Sequence, residues 1–421
     1  MAVLHHNYRK LCGDRRKMTE QCKETVVLLK LMRAAMSQIE RLPWVEGCSE
    51  EKLLDMITRQ SLLPLVYPVV EAQEQAVWKR IRSRLEESYH QEIHKAFIQE
   101  YEIQHLLDAM EQDGIDCLPM KGWIMRNYYP DPITRSMCDF DVLLKEFDSR
   151  KMQVWMEKQG YVLDHFEDDG LHDVYVKRPY MVVELHRSLV DKRVLQEQTK
   201  AYAQEWIETL WSRSVQTKGK KHIYYLKRED FYIHHLHHMH KHFIAKGTGI
   251  RSLADIYVFL RKEKAYLDQN YVMQELEALH LWEFAQSMER ISKACFETGR
   301  MDKDSILVAE FLTEGGMYGS RENSETIKIM GKEENSFMKN KLLTGVKNVF
   351  PSADVLQGRY YRLKDHPWLL PFYWIIRAGR IFIWERNKIA LMRKARKKEQ
   401  YEKMKDIFRA AGIKQRAKDV G

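Results

Sequence analysis

Two aspartates one residue apart, Asp139 and Asp141 in the run CDFDVLL (138–144), have the types and spacing to do chemistry. In a strand, alternate side chains share a face, so both carboxylates point one way while Phe140, Val142 and Leu144 enter an apolar layer. Carboxylates held together on a buried face repel one another and lose hydration, a penalty that a divalent cation between them offsets. VVELH (182–186) is a second such strand, with Glu184 between apolar neighbours and His186 on the same face. A third carboxylate from an adjacent strand completes a hard-oxygen site for Mg2+, of the kind that serves phosphoryl or nucleotidyl transfer. The bland alternative is that charge on a strand only guards an edge against aggregation.

The elements that must position these groups are legible nearby. IDCLPMKG (115–122) reads as a short strand running into a glycine turn, after Gly114 ends a helix. WIMRNYY (123–129) reads as a short helix stopped by Pro-Asp-Pro at 130–132. Such a strand–turn–helix unit offers backbone N–H groups and a helix N-terminus to a phosphate. DVYVKRPYMVVELH (173–186) reads as two strands around a turn at Arg178-Pro179. Upstream, residues 24–39 and 51–70 carry apolar residues at helical spacing, and 74–112 is a long helical stretch. Its later apolar positions, Ile103, Leu106, Leu107 and Met110, form one buried stripe. Helix resumes from about 190 to 300, and a looser segment rich in Gly, Ser and Asn spans 313–336. The expected fold is α+β, a small mixed sheet in the middle of a mainly helical chain. Its expected divisions are 1–112, 113–226, 227–310, 311–376 and a basic tail at 377–421.

Composition excludes several classes. Of 421 residues, 44% are hydrophobic and 31% charged, with 19 Gly and 10 Pro, unlike collagen-like, low-complexity or wholly disordered chains. The six cysteines lie far apart with no CxxC pair, so neither a zinc ribbon nor a disulfide scaffold is indicated. The first residues lack the apolar core of a signal peptide, and no apolar stretch of about 18 residues occurs, so a cytoplasmic location is expected. The net charge of +9 is localised: residues 377–421 hold 15 Lys/Arg against 5 Asp/Glu, leaving 54 against 55 elsewhere. The body is neutral, so global charge is no argument that it binds nucleic acid.

Six histidines fall within nine residues of DFYIHHLHHMHKHF (230–243). His234, His238 and His242 are one helical turn apart, a spacing available to metal ligands. A metal hydrolase on this helix is one reading, although it lacks the glutamate of HExxH and a nearby cysteine. Packing or surface positions are the other. WLLPFYWIIRAGRIFIW (368–384) is too short and too charged to span a bilayer, which leaves a helix packed on the body or lying at a membrane surface. RNKIALMRKARKK (386–398) is basic with no acidic residue. It is either a solvated helix face or a tract that follows the phosphates of RNA or of an anionic membrane surface.

LPMKGWIMRNYYPDPITRSMCDFDVLL (118–144), followed by VVELH, resembles the uncharacterised nucleotidyltransferase-like family of the polymerase-beta superfamily. Members read Leu-Lys-Gly, Tyr-Pro-Asp-Pro, Arg, Asp-hydrophobic-Asp, then a carboxylate followed by Leu-His. The likeness is densest over 115–190 and continues through HHMHKHF (237–243), GIRSLADI (249–256) and DHPWLLPFYWIIR (365–377). It implies a nucleotidyltransferase-type sheet, Mg2+ as cofactor with two ions, and an NTP substrate, ATP being the first choice. By it, Asp139 and Asp141 bind metal and triphosphate, Glu184 ligates one metal and helps activate an acceptor hydroxyl, and Gly122 opens the phosphate turn. The chain departs from the wider superfamily at that turn. Lys121-Gly122 stands for Gly-Ser, Trp123 takes the place of the serine, and the gap to the first aspartate is longer.

Lys121, Arg135 and Ser136 are then the candidates for the missing phosphate donor. The resemblance also favours His238, His242, Arg251 and Asp255. Arg251 either pairs with Asp255 at i,i+4 or reaches the triphosphate, with the histidines and His186 lining the acceptor side. The implied reaction is in-line attack of an acceptor hydroxyl on the α-phosphorus with loss of pyrophosphate. Two rivals stand beside it: a nucleotide-binding protein whose altered turn has lost the chemistry, and an RNA- or membrane-binding scaffold that acts through the tail.

Overall fold

A computed structural model describes residues 20–37, 41–166, 172–187, 209–330, 366–375 and 398–413, with Trp206 and Leu356. Four helices come first: α1 (Glu20–Met36), α2 (Glu50–Arg59), α3 (Leu63–Glu71) and α4 (Ala76–Gln112). The apolar pattern over 51–70 is two helices, because Ser61 takes a φ of 51° and breaks it. The Ser49 side chain caps α2 by accepting from the Lys52 N–H, and Glu50 and Glu51 complement the dipole in the first turn.

The 37-residue α4 is about 55 Å long and belongs to two cores. Its first half places Trp78, Ile81 and Leu85 in a large helical core. Its second half places the Ile103, Leu106, Leu107 and Met110 stripe under a sheet. Gly114, with φ of 72°, ends the excursion past its C-terminus and turns the chain into the sheet.

That sheet contains β1 (Cys117–Pro119), β2 (Phe140–Leu144), β3 (Val162–Phe166), β4 (His172–Lys177) and β5 (Met181–His186) in the order β1-β2-β5-β4-β3. Helix α5 (Lys121–Met125) follows β1, and α6 (Ser149–Lys158), capped by Asp148, leads from β2 to β3. β2 and β5 are parallel and the other pairings antiparallel. Phe140, Val142, Leu144, Val183 and Leu185 pack on the far half of α4 and on α6, as the alternation requires. Leu143 lies on the opposite face and joins the helical core. The carboxylate face of the sheet therefore looks toward the helices.

Helix does not run unbroken beyond this sheet. After α7 (Leu210–Arg213), β6 (Val215–Gln216) and β7 (Tyr224–Tyr225) form a small hairpin, with Gly219 at φ 79° in its turn. Then come α8 (Arg228–Ala245), α9 (Ile250–Glu263), α10 (Gln269–Ala278), α11 (Trp282–Lys293), α12 (Lys303–Glu314), α13 (Arg321–Met330) and α14 (Lys398–Ala410). Leu28, Val66, Phe243, Phe259, Phe284, Phe311 and Phe408 share one core, so the early and late helices are packed together. The fold is α+β.

Of the segment expected to be loose over 313–336, residues 315–320 make a turn and 321–330 form α13, and 331–336 lie outside the described residues. Gly319 has φ of 72°, and a Cβ there would run into the Lys246 carbonyl oxygen. The close approach lets Ser320 N–H donate to Lys246 C=O at 2.9 Å and Gly249 N–H to Met317 C=O at 3.1 Å. Gly319→Ala should therefore destabilise the protein by about 1–3 kcal/mol, read as a lower urea midpoint at unchanged slope.

Among the described residues no helix is long and apolar enough to cross a membrane. Trp368, Phe372 and Ile375 are exposed. Residues 376–397, which hold most of the tract considered for RNA or an anionic membrane surface, lie outside the described residues.

Candidate active site

β2 and β5 bring three carboxylates together. Asp139 immediately precedes β2, Asp141 lies on it, and Glu184 is the register partner of Asp141 on β5. The Met120 N–H donates to the Asp141 C=O at 3.0 Å, which fastens the strand–turn–helix unit to β2. Lys121 follows with φ of 46°, an uncommon conformation for a residue with a side chain. Its ammonium reaches Asp141 Oδ1 at 2.6 Å. The same oxygen meets His186 Nε2 at 2.8 Å, and His186 Nε2 is 3.3 Å from Glu184 Oε2. The left-handed residue of the turn is thus Lys121, with Gly122 inside α5. Gly122 provides room: a Cβ there would lie 2.9 Å from Arg135 Nη1.

Burial raises the Asp139 pKa, and the Asp141 and Glu184 carboxylates raise it further, to about 6. Burial opposes ionised Asp141 too, but Lys121 and His186 outweigh it and hold that carboxyl well below its usual range. Burial alone would lower His186; its contacts with Asp141 and Glu184 raise it instead. Asp141 is held ionised, while burial and the neighbouring carboxylates resist ionisation of Asp139. Three hard oxygen donors in that condition fit a divalent cation such as Mg2+.

Arg135 and Asp255 also come together, but they engage one another. Arg135 Nε donates to Asp255 Oδ1 and Nη2 to Oδ2, both at 2.8 Å, with side chains only 8% and 3% exposed. The Tyr129 hydroxyl donates to the same Oδ1 at 2.8 Å. Burial would raise Asp255, yet the Arg135 guanidinium brings it down to about 2. Asp255 is therefore taken, and the i,i+4 pair with Arg251 does not form. Arg251 instead donates from Nη1 to the Ser136 C=O at 2.8 Å, within electrostatic reach of Asp139. The Ser136 hydroxyl is buried with no hydrogen-bond partner among the described residues.

Helix α8 faces the same carboxylates. His234, His238 and His242 follow one another along it, with ring centroids 6.4 and 4.5 Å apart. His238 Nε2 and His242 Nε2 are 3.1 Å apart. Burial lowers all three, His242 to about 4, and the Lys121 ammonium lowers each further. They are neutral imidazoles at neutral pH. The rest of the histidine run serves elsewhere: His235 feels Asp255 and Arg135, and His240 packs edge-on against Phe284 with centroids 5.0 Å apart.

Among the described residues, one donor atom each of His172, Glu184 and His186 lie close enough together to hold a metal ion, and neither Asp139, Asp141 and Glu184 nor the histidines of α8 form such a group. His172 is the residue that reading the sequence missed. It lies opposite His186 in the β4–β5 hairpin, with Nε2 3.7 Å from Glu184 Oε2. The turn at Arg178-Pro179 carries the signal, because pairing Lys177 with Met181 carries residue 172 to residue 186.

No curated protein and no solved structure matches the chain. The family model described as an uncharacterised nucleotidyltransferase matches residues 48–297, more than half of the chain and the whole five-stranded sheet. The chain therefore belongs to this family of uncharacterised nucleotidyltransferases, with nucleotidyl transfer as its general role.

Proposed function

We propose that the protein transfers a nucleoside monophosphate from an NTP, ATP first, to a hydroxyl-bearing acceptor, with release of pyrophosphate. Asp139, Asp141 and Glu184 would hold Mg2+. One observation carries the reading: carboxylates of two parallel strands share a face, in a register that sets Asp141 beside Glu184. Bound Mg2+ would neutralise charge on the attacking and leaving oxygens of an in-line displacement.

The chain's own residues supply the rest. Lys121 aims its ammonium at the carboxylates from a left-handed backbone and is placed to meet a triphosphate oxygen when a cation takes over Asp141. The Ser136 hydroxyl, without a partner among the described residues, is a further phosphate donor. Arg251, fixed on the Ser136 carbonyl, keeps positive charge near Asp139. Glu184 is the acceptor for the hydroxyl proton. His238 and His242, neutral, line the acceptor side and can accept a hydrogen bond without competing as cations. Arg135 and Asp255 act by fastening α9 to the segment that carries Tyr129.

Thermal unfolding with each NTP, with and without Mg2+, tests the reading. A ligand at about 100 times its Kd adds roughly 2.7 kcal/mol of stability, an easily measured shift. The expected result is a Mg2+-dependent rise with one NTP that Asp139→Asn loses. No shift with any NTP would count against it. A second reading, nucleotide binding without transfer, is favoured by the ion pair that Lys121 makes to Asp141 where the superfamily has Gly-Ser. It predicts the same shift with no pyrophosphate release.

A further inference from the structure

We infer that His172, Glu184 and His186 form a nitrogen-containing cation site at the edge of the carboxylate face, and that it takes a first-row transition ion in preference to Mg2+. The inference goes beyond the Mg2+-dependent transfer proposed above, because none of its donors needs a nucleotide. It shares Glu184 with the proposed Mg2+ ligands.

Three observations carry it. First, one donor atom each of His172, Glu184 and His186 lie within 4.8 Å of one another. That span is a little more than twice the ~2.1 Å bond that such an ion makes to an imidazole nitrogen. Second, the His172 ring and the Glu184 carboxylate face one another at 3.7 Å, an ion-pair distance longer than a hydrogen bond. Third, the donors are held by paired strands, His172 opposite His186 on β4 and β5, with Glu184 two residues before His186 on the same face. Side-chain exposures of 14%, 21% and 8% for His172, Glu184 and His186 leave the group sheltered yet open to solvent.

Donor chemistry then sets the selectivity. Mg2+ prefers an all-oxygen shell and is reluctant to accept imidazole, whereas Zn2+ and Mn2+ accept two imidazoles and a carboxylate readily. On binding, His186 would give up its contact with Asp141 to ligate the ion, with release of any proton held between them.

The test is calorimetric titration of EDTA-stripped full-length protein with Zn2+, Mn2+ and Mg2+, without nucleotide, on wild type, His172→Ala and Asp139→Asn. The expected result is one Zn2+ or Mn2+ per chain, bound at least about 100-fold more tightly than Mg2+, with proton release. His172→Ala should weaken that ion by more than the 10–100-fold that losing an outer-shell partner costs, and Asp139→Asn should leave it in place. Mn2+-loaded wild type should also show nitrogen hyperfine coupling that diminishes in His172→Ala, a readout independent of activity. Zn2+ binding unchanged in His172→Ala would overturn the site and assign the ion to the histidines of α8. Equal affinity for Mg2+ would overturn the selectivity. Failure of the transfer reading appears separately, as the absence of any Mg2+-dependent NTP shift in His172→Ala and wild type alike.

Discussion

Asp139→Asn should reduce nucleotidyl transfer by about 10³-fold or more, while the metal-free protein becomes as stable as wild type or more so. The first half follows from the several kcal/mol of charge stabilisation lost when a bound metal loses a ligand. The second half follows from the electrostatics. Burial together with Asp141 and Glu184 raises Asp139 to about 6, so its ionised form opposes folding at neutral pH. A carboxyl whose folded pKa is raised contributes stability below its unfolded value, and that contribution is lost as pH rises through the folded value. The stability of Asp139→Asn relative to metal-free wild type should therefore grow by about 1–2 kcal/mol between pH 4 and 7, a figure reduced for partial exposure. The buried histidines of α8 add the same pH dependence to both proteins, so the difference between them isolates Asp139. Transfer assays paired with urea unfolding at pH 4 and 7 in EDTA measure both halves, and a variant that unfolds early would sink the electrostatic argument.

Asp141 differs, although sequence spacing makes the two aspartates look equivalent. It is the counter-ion of Lys121 at 2.6 Å and a partner of His186. Asp141→Asn leaves a sheltered ammonium without its charge partner, so it should cost stability as well as activity. Relief of carboxylate repulsion, expected for either residue, applies to Asp139 alone. Asp139→Asn is the variant that separates chemistry from folding.

What was legible in the sequence follows from period. Strand alternation placed Asp141 and Glu184 on one face, because Phe140, Val142, Val183 and Leu185 must bury on the other, and Asp139 stands just before the strand within their field. Helical spacing aligned His234, His238 and His242, but no local pattern tells a helix which neighbour to face. That came from tertiary packing, visible in the Lys121 field that all three feel. The left-handed Lys121 was hidden by the glycine beside it, to which any reading of turn residues gives the positive φ. Arg135 and Asp255 are 120 positions apart, and a local rule offered Asp255 a nearer partner in Arg251. The buried fork prevails because two parallel charge-assisted bonds away from water outweigh one exposed i,i+4 contact.

Asp255→Ala should destabilise the protein by about 3–5 kcal/mol, the usual penalty for leaving a buried guanidinium unpaired. The cause is threefold. Arg135 loses both 2.8 Å bonds, Tyr129 loses the acceptor of its hydroxyl, and a cavity opens at a buried position on α9. Replacing both partners, as in Arg135→Met/Asp255→Leu, should recover much of the loss, since the pair then leaves no charge behind. The pH dependence has the opposite sign to that of Asp139. The folded pKa of Asp255 is depressed to about 2, so its contribution is present above the unfolded value near 4 and is lost as pH falls through 2. Urea unfolding of wild type should show this acid limb, and in Asp255→Ala it should be shallower, with the part due to Asp141 remaining. The variant should also transfer poorly, because Arg135 approaches the Gly122 carbonyl at 3.4 Å and so steadies the turn that aims Lys121. Were Asp255→Ala as stable as wild type, the pair would not be the fastening between α9 and the sheet, and Arg135 would return to the phosphate-binding role that the sequence suggests.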